Sequence, residues 1–370
     1  MTDTATLVHR IALASMRSLT PELARAITDR MDGLEMFFTL SERQLSSVMG
    51  FNSRLFADDV RRKALEEARK EEVFVTANSV RPLFFTDPAY PQRLLQCDDA
   101  PLMLYALGDI DFNQSRFISI VGTRHATAYG VDFVRTVIAS LAEKMAEPLV
   151  VVSGLAYGID IAAHRGALEA GVPTVGVVAH GLNTIYPAVH RDTAVRMVRN
   201  GGAIVSEYRS SDAVHRGNFL ARNRIVAGLS DCLLVAESDS KGGALVTAKI
   251  ASSYNRDVMA LPGRHSDRYS RGCNALIASN IAQLVCSADD IISSMGWPLR
   301  EEEGSQPELF VELTPEEEAV CSVLRQIDDA SLSDILARVD IPVHRLMGLL
   351  IDMEYKNLLI ALPGSRYRAI

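Results

Sequence analysis

From Phe117 onward the chain alternates short, almost wholly apolar runs with longer amphipathic ones, and few folds accommodate that rhythm. The apolar runs are Phe117 to Val121, Leu149 to Val152, Thr174 to Val178, Ala203 to Ser206, Cys232 to Ala236, Val258 to Leu261 and Gln283 to Val285. The amphipathic ones lie near Ala128 to Met145, Ile159 to Glu169, Ala188 to Arg199, Leu220 to Leu229 and Ala244 to Tyr254. A strand that is apolar along its whole length has no face to give to water, so it is covered on both sides, and the intervening helices supply the cover. The pattern predicts an α/β fold, an extended Rossmann-like doubly wound parallel sheet, over residues 76–297.

Such a sheet brings every strand's carboxyl end to one edge, and ligands bind in the crevice there. In chain order those ends read Gly122-Thr123-Arg124, Ser153-Gly154-Leu155-Ala156-Tyr157-Gly158, His180 to Asn183, Ser206-Glu207-Tyr208, Glu237 to Gly243 and Pro262-Gly263-Arg264. Small, polar and basic residues thus converge on one rim. Gly122 and Gly154 serve there either as turn glycines or as points where an anion comes close. Asp160 and His164, four apart on one helix, read as a local hydrogen bond in preference to an acid/base pair. Glu207 fits a base, a ribose contact or a cap.

The stretch Arg216 to Ala248 is the richest. Arg216, Phe219, Arg222 and Arg224 precede its first acid, Asp231, in a chain whose net charge is −8. Positive charge beside an aromatic face suits contact with phosphates and bases. Lys241-Gly242-Gly243 then joins a strand to a helix, a turn whose free N–H groups and helix dipole favour an anion. Five cations, Arg124, Arg216, Arg222, Arg224 and Lys241, each neutralising one phosphate, predict a slope of log K against log salt of about −3 to −4.

The flanks differ in kind. Residues 1–75 carry short helices, with a start at Thr20-Pro21-Glu22 and a capping box at Ser41 to Gln44. They read as a small helical domain (SAM/helix-hairpin-helix-like) that packs or meets proteins, in preference to one that binds DNA. Residues 80–109 are broken by prolines and read as a linker. An acidic linker, 298–313, leads to residues 314–370, ordered helix, helix, helix, hairpin as in a winged helix. Its third helix sets Asp352 and Glu354 beside His344 and Arg345, which favours a protein contact or a structural cap over DNA.

Several classes fall away. No apolar run approaches the roughly 18 residues of a membrane span, and no basic start precedes a long apolar stretch, so a cytoplasmic protein is expected. The five cysteines lack metal-ligand spacing and read as free thiols in a reducing compartment. GxGxxG after the first strand, GxxxxGK[ST], GxSxG and HExxH are all missing. With no motif for a cofactor, metal or nucleophile, the rim reads as a binding site and not an enzyme. The alternative is a nucleotide-binding or phosphoribohydrolase-type enzyme using Glu207 or Glu237.

SGLAYGIDIAAH at 153–164, GLNTIYP at 181–187, SEY at 206–208, FLARNRIVAGLS at 219–230, GGALVTA at 242–248 and LPG at 261–263 together resemble the DNA-processing protein A family (DprA/Smf), most closely over residues 85–290. The resemblance implies a homodimer that binds single-stranded DNA, protects incoming DNA in natural transformation and loads the RecA recombinase. It implies strand contacts at Arg124, Arg216, Phe219 and Lys241, phosphate-holding turns at Gly122, Ser153, Gly154, Gly242 and Gly243, and a dimer interface at Asn274, Ile277 and Leu284. Three departures stand out: Leu155 where the family usually has glycine, Gly242 where serine is common, and Asn280-Ile281-Ala282 in place of a common Gly-Ala.

Overall fold

The computed structural model describes residues 4–300, 313–327, 329–356 and 358–369. The chain divides into two compact units at Arg300. The first opens with five helices, α1 (Thr4–Ser15), α2 (Pro21–Arg30), α3 (Leu34–Thr39), α4 (Glu42–Met49) and α5 (Asp58–Ala77). The expected starts are present: the Thr20 side chain accepts from Leu23 N with Pro21 behind it, and Ser41 and Gln44 form a capping box. The sheet and its helices follow as β1 (Arg81–Phe84), α6 (Gln92–Leu95), β2 (Met103–Leu107), β3 (Arg116–Gly122), α7 (Ala128–Lys144), β4 (Leu149–Ser153), α8 (Ile159–Glu169), β5 (Thr174–Val177), α9 (Arg191–Arg199), β6 (Ala203–Ser206), α10 (Arg216–Ala221), α11 (Asn223–Gly228), β7 (Cys232–Glu237), α12 (Gly243–Ser253), β8 (Asp257–Ala260), α13 (Arg271–Ala278), β9 (Gln283–Leu284) and α14 (Ala288–Met295).

The nine strands form one sheet in the order β1-β2-β6-β5-β4-β3-β7-β8-β9. The seven strands anticipated from the apolar runs are all present and mutually parallel. Residues 80–109 correct the expectation of a linker: β1 and β2 pair antiparallel with each other, and β2 with β6, extending the sheet. Pro82 hid this, and it is tolerated because β1 is the edge strand, where a missing N–H costs no ladder bond.

Helices cover both faces. Ile118, Ile120 and Leu234 point toward α7, α8 and α14, whereas Phe117, Val121 and Leu233 face α11 and α12. The core on this second side runs on without a break into the amino-terminal helices, joining Ile11, Leu13, Phe37 and Phe56 to Leu83, Phe84 and Leu104. Polar ties reinforce the junction. Arg10 pairs with Asp87 at 2.8 Å, Arg209 with Glu67 at 2.7 Å, and the Glu71 carboxylate accepts from Ser210 N and Oγ.

In the second unit α15 (Pro315–Gln326), β10 (Ala330–Ser331), α16 (Leu332–Leu336), α17 (Val343–Tyr355), β11 (Leu359–Leu362) and β12 (Arg366–Ala369) enclose a small core of Val320, Leu324, Ile335, Leu346, Leu350 and Met353. The three strands pair β10-β12-β11, giving the element order of a winged helix. Most of the acidic linker, 301–312, lies outside the described residues.

Candidate nucleic-acid interface

Strands β3 and β7 are neighbours, yet the chain winds away from them in opposite directions. This is the switch point at which an open α/β sheet leaves a crevice beyond its strand ends. A cavity of about 620 Å³ lies there, between the loop Gly122-Thr123-Arg124, the turn at Gly154, helix α10 and the start of α12. The first loop is held from both sides: Thr123 N donates to Glu237 O at 2.8 Å, and Thr123 O accepts from Ile159 N at 3.1 Å. Gly158 closes the same corner with φ +78°, and a Cβ there would stand 2.7 Å from the Arg124 Cα. No side chain at 158 fits, and Arg124 is fixed as a result.

The five cations divide into two sets. Arg124, Arg216 and Lys241 are exposed and form no ion pair or side-chain hydrogen bond among the described residues. Arg124 and Arg216 line the cavity, and Lys241 stands beside it in the turn before α12. The other two correct the expectation of free phosphate contacts. Arg222 is only 4 % exposed and donates through Nη1 to Gly154 O and Val177 O. Burial lowers its pKa, the Asp160 carboxylate opposes that, and Arg124 adds to the lowering by repulsion. Arg224 is bound to Glu207, with Asp99 at 3.8 Å on its other side. Sequence order could not separate these arginines, because α10 and α11 turn Arg216 outward and Arg222 into the sheet.

Phe219, on α10, lines the cavity and meets Tyr186 edge-on, with centroids 5.7 Å apart. Tyr186 is exposed, and Tyr157, against His190 at 5.1 Å, extends the aromatic rim. Sequence reasoning missed both tyrosines, although they stood in the quoted SGLAYG and GLNTIYP motifs. His180 positions the first: its Nδ1–H donates to Gly181 O and its Nε2 accepts from Tyr186 N at 3.1 Å. Burial lowers the pKa of His180, which keeps the ring neutral and that acceptor available.

The small residues have distinct tasks. Ser153 is buried and its hydroxyl donates to Ile120 O, so it does not reach the crevice. The Gly154 amide is likewise engaged, donating to Asp160 Oδ2 at 3.1 Å, and Ala156 N approaches the same oxygen. Gly154 instead gives room, since a Cβ there would fall 2.6 Å from Asp160 Oδ2 and against Arg222 Nη1. Gly122 lines the cavity. Gly242 and Gly243 open α12, whose N-terminus bears no side-chain cap and faces the cavity. That is the arrangement that attracts an anion.

The departures find local reasons. Leu155 sits at φ +55°, a left-handed conformation that suits glycine, and its side chain is fully buried with Ile161, Val178 and Met197. Its burial offsets the strain. Asn280, at φ +55°, ends α13 as asparagine can where glycine is usual. A Cβ at Gly242 would stand 2.2 Å from Ser238 Oγ, so the buried Ser238 hydroxyl, which donates to Asp239 O, would have to turn to admit a side chain there.

The acids are committed elsewhere. Glu237 accepts from Thr127 N at 2.9 Å and Oγ1 at 2.5 Å, completing the cap of α7. Glu207, raised by burial and drawn back by Arg224, is held in its ion pair. Asp160 and His164 are not bonded to each other, contrary to expectation: Asp160 ties down the 154–156 turn, while His164 Nδ1 meets Thr174 Oγ1 at 2.7 Å. Among the described residues no cluster of metal-binding side chains occurs, and no helix is long and apolar enough to cross a membrane. Of the expected interface residues, Asn274 brackets Gly263 N and O with its own amide, Ile277 packs partly into the core, and Leu284 is exposed on edge strand β9.

Residues 81–296 match the family described as DNA recombination-mediator protein A. Protein Smf of Synechocystis sp. is 34% identical over 293 residues, spanning 77% of this chain and 72% of the relative. DNA processing protein DprA of Streptococcus pneumoniae is 37% identical over 207 residues, 56% of this chain and 71% of the relative. The X-ray structure of DprA from S. pneumoniae superposes with a TM-score of 0.64 at 28% identity, over 81% of this chain and 100% of that one. A DNA processing protein A structure from Helicobacter pylori, described for its single-stranded DNA binding mode, gives 0.52 at 29% identity, over 59% of this chain and 97% of that one.

Proposed function

The chain belongs to the DNA recombination-mediator protein A family, and from that premise we propose that its crevice binds single-stranded DNA and that the protein hands the strand to the RecA recombinase. The observation that carries the reading is the conjunction of three uncommitted cations with Phe219 and Tyr186 around one cavity. Phosphates lie against Arg124, Arg216, Lys241 and the start of α12, while bases stack on the aromatic rim. A neutral base offers every sequence the same face, so stacking suits a protein that accepts any strand. Two copies joined through the side of the sheet that carries Ile277 and Leu284 would present two such crevices.

Binding without turnover is part of the proposal. The two carboxylates available to a phosphoribohydrolase, Glu207 and Glu237, are held by Arg224 and Thr127, which supports a structural role for each. The test is fluorescence anisotropy of a labelled oligothymidine across a salt series. Three free cations give a slope of about −2, shallower than five would, and Arg124→Ala/Lys241→Ala reduces it to about −0.7. A flat salt response in the wild type, or hydrolysis of a nucleoside monophosphate that is lost in Glu207→Gln, overturns the proposal.

A further inference from the structure

Helix α17 occupies the position of a recognition helix without the chemistry of one. Val343, Met347, Ile351 and Tyr355 recur every four residues along it and are 50%, 51%, 64% and 92% exposed. Leu346, Leu350 and Met353 on its other side are buried in the unit's core. Its one arginine, Arg345, is bound to Glu316 at 3.1 and 3.0 Å, and Asp352 and Glu354 set negative charge on its flanks. A phosphate backbone finds no free guanidinium there. Four large apolar side chains in a line are unfavourable in water unless something covers them.

We propose that the cover is a second copy of this chain, with α17 packed antiparallel on α17 about a two-fold axis between Met347 and Ile351. A row of side chains at four-residue spacing is the ridge that interdigitates with an identical ridge on another helix, the axes crossing near −50°. Gly348, beside the ridge, has nothing within 4 Å of where its Cβ would stand, so the second backbone can come close. The polar residues flanking the ridge select the direction. The two-fold sets Met347 against Ile351 and Val343 against Tyr355, and it brings His344 alongside Glu354 of the second copy. Glu354 is already steadied by Ala361 N at 3.2 Å. Parallel pairing would instead face Asp352 and Glu354 with their own copies. The patch is small for a stable interface, so the association is weak and emerges at the upper end of a protein concentration series.

Sedimentation velocity of the full chain over a concentration series tests this, in a Leu284→Arg background that removes the other expected contact. Self-association should persist in that background and weaken at least tenfold in Met347→Glu/Ile351→Glu. His344→Glu and Glu354→Lys should each weaken it, and the two together should restore it, which a merely sticky face would not show. A chain that stays monomeric in the Leu284→Arg background, an unchanged mass distribution in Met347→Glu/Ile351→Glu, or a charge swap that fails to recover association overturns the proposal. Far-UV circular dichroism of each variant confirms that the fold is retained.

Discussion

The crevice beyond β3 and β7 and the outer face of α17 are both exposed, and both carry arginine, but they expose opposite chemistry. In the crevice a buried polar frame, Arg222, Asp160 and Glu237, holds the loops so that Arg124 and Arg216 stand uncommitted in solvent. On α17 the frame is apolar, Arg345 is neutralised by Glu316, and what faces water is a row of hydrocarbon. The difference teaches that counting basic residues does not locate a polyanion site. What matters is which cations the fold has left without a partner.

The sharpest way to break this comparison is to treat the two committed arginines alike. Arg222→Ala strips buried acceptors at Gly154 and Val177 of their donor and leaves Asp160 without its neighbouring charge, so it should cost about 3–5 kcal/mol. Arg345→Ala removes an exposed pair and should cost no more than about 1 kcal/mol. Urea denaturation of both variants decides it, and equal losses would refute the division into a buried frame and a surface pair. Next in size, Phe219→Ala should weaken oligothymidine binding by about 1–3 kcal/mol, read by anisotropy, while Met347→Ala on α17 leaves it unchanged. Equal effects at the two positions would erase the distinction between the aromatic rim and the apolar row.

A third contrast between the two regions is one of pH. His164 is buried behind the rim, its Nε2 has no partner among the described residues, and burial lowers its pKa from 6.5 to about 3. The unfolded chain therefore binds a proton that the folded chain refuses. Stability from this group is complete above about pH 6.5 and falls as pH drops below it, by at most about 1.4 kcal/mol per pH unit until the folded pKa is reached. His164→Gln should flatten the acid limb of stability against pH by about one proton. Denaturation midpoints between about pH 6.5 and 4 measure it, and an unchanged acid limb would refute the assignment.

Much of this was legible in the residues. The apolar runs located seven strands, and their parallel order located the rim, because a strand buried on both faces writes its burial into its composition. The first two strands were not legible. The stretch that holds β1 and β2 is broken by Pro82, Pro88, Pro91 and Pro101, and Pro82 falls at an edge where the fold tolerates it. The rim could be named residue by residue, but its division into free and committed cations could not. The partners of Arg222 and Arg224 come from strands and loops distant in the chain, Gly154, Val177 and Glu207. Tyr186 was overlooked for the same reason: its place beside Phe219 depends on a loop held by His180, which neighbouring residues do not announce.

Ser238 and Gly242 have a bearing on how this chain can change over time. The hydroxyl of one occupies the space that a side chain on the other would need. Serine at 242 would oblige the Ser238 hydroxyl to turn away from Asp239 O, whereas removing that hydroxyl clears the space. Substitutions at the two positions are therefore coupled through one buried hydroxyl.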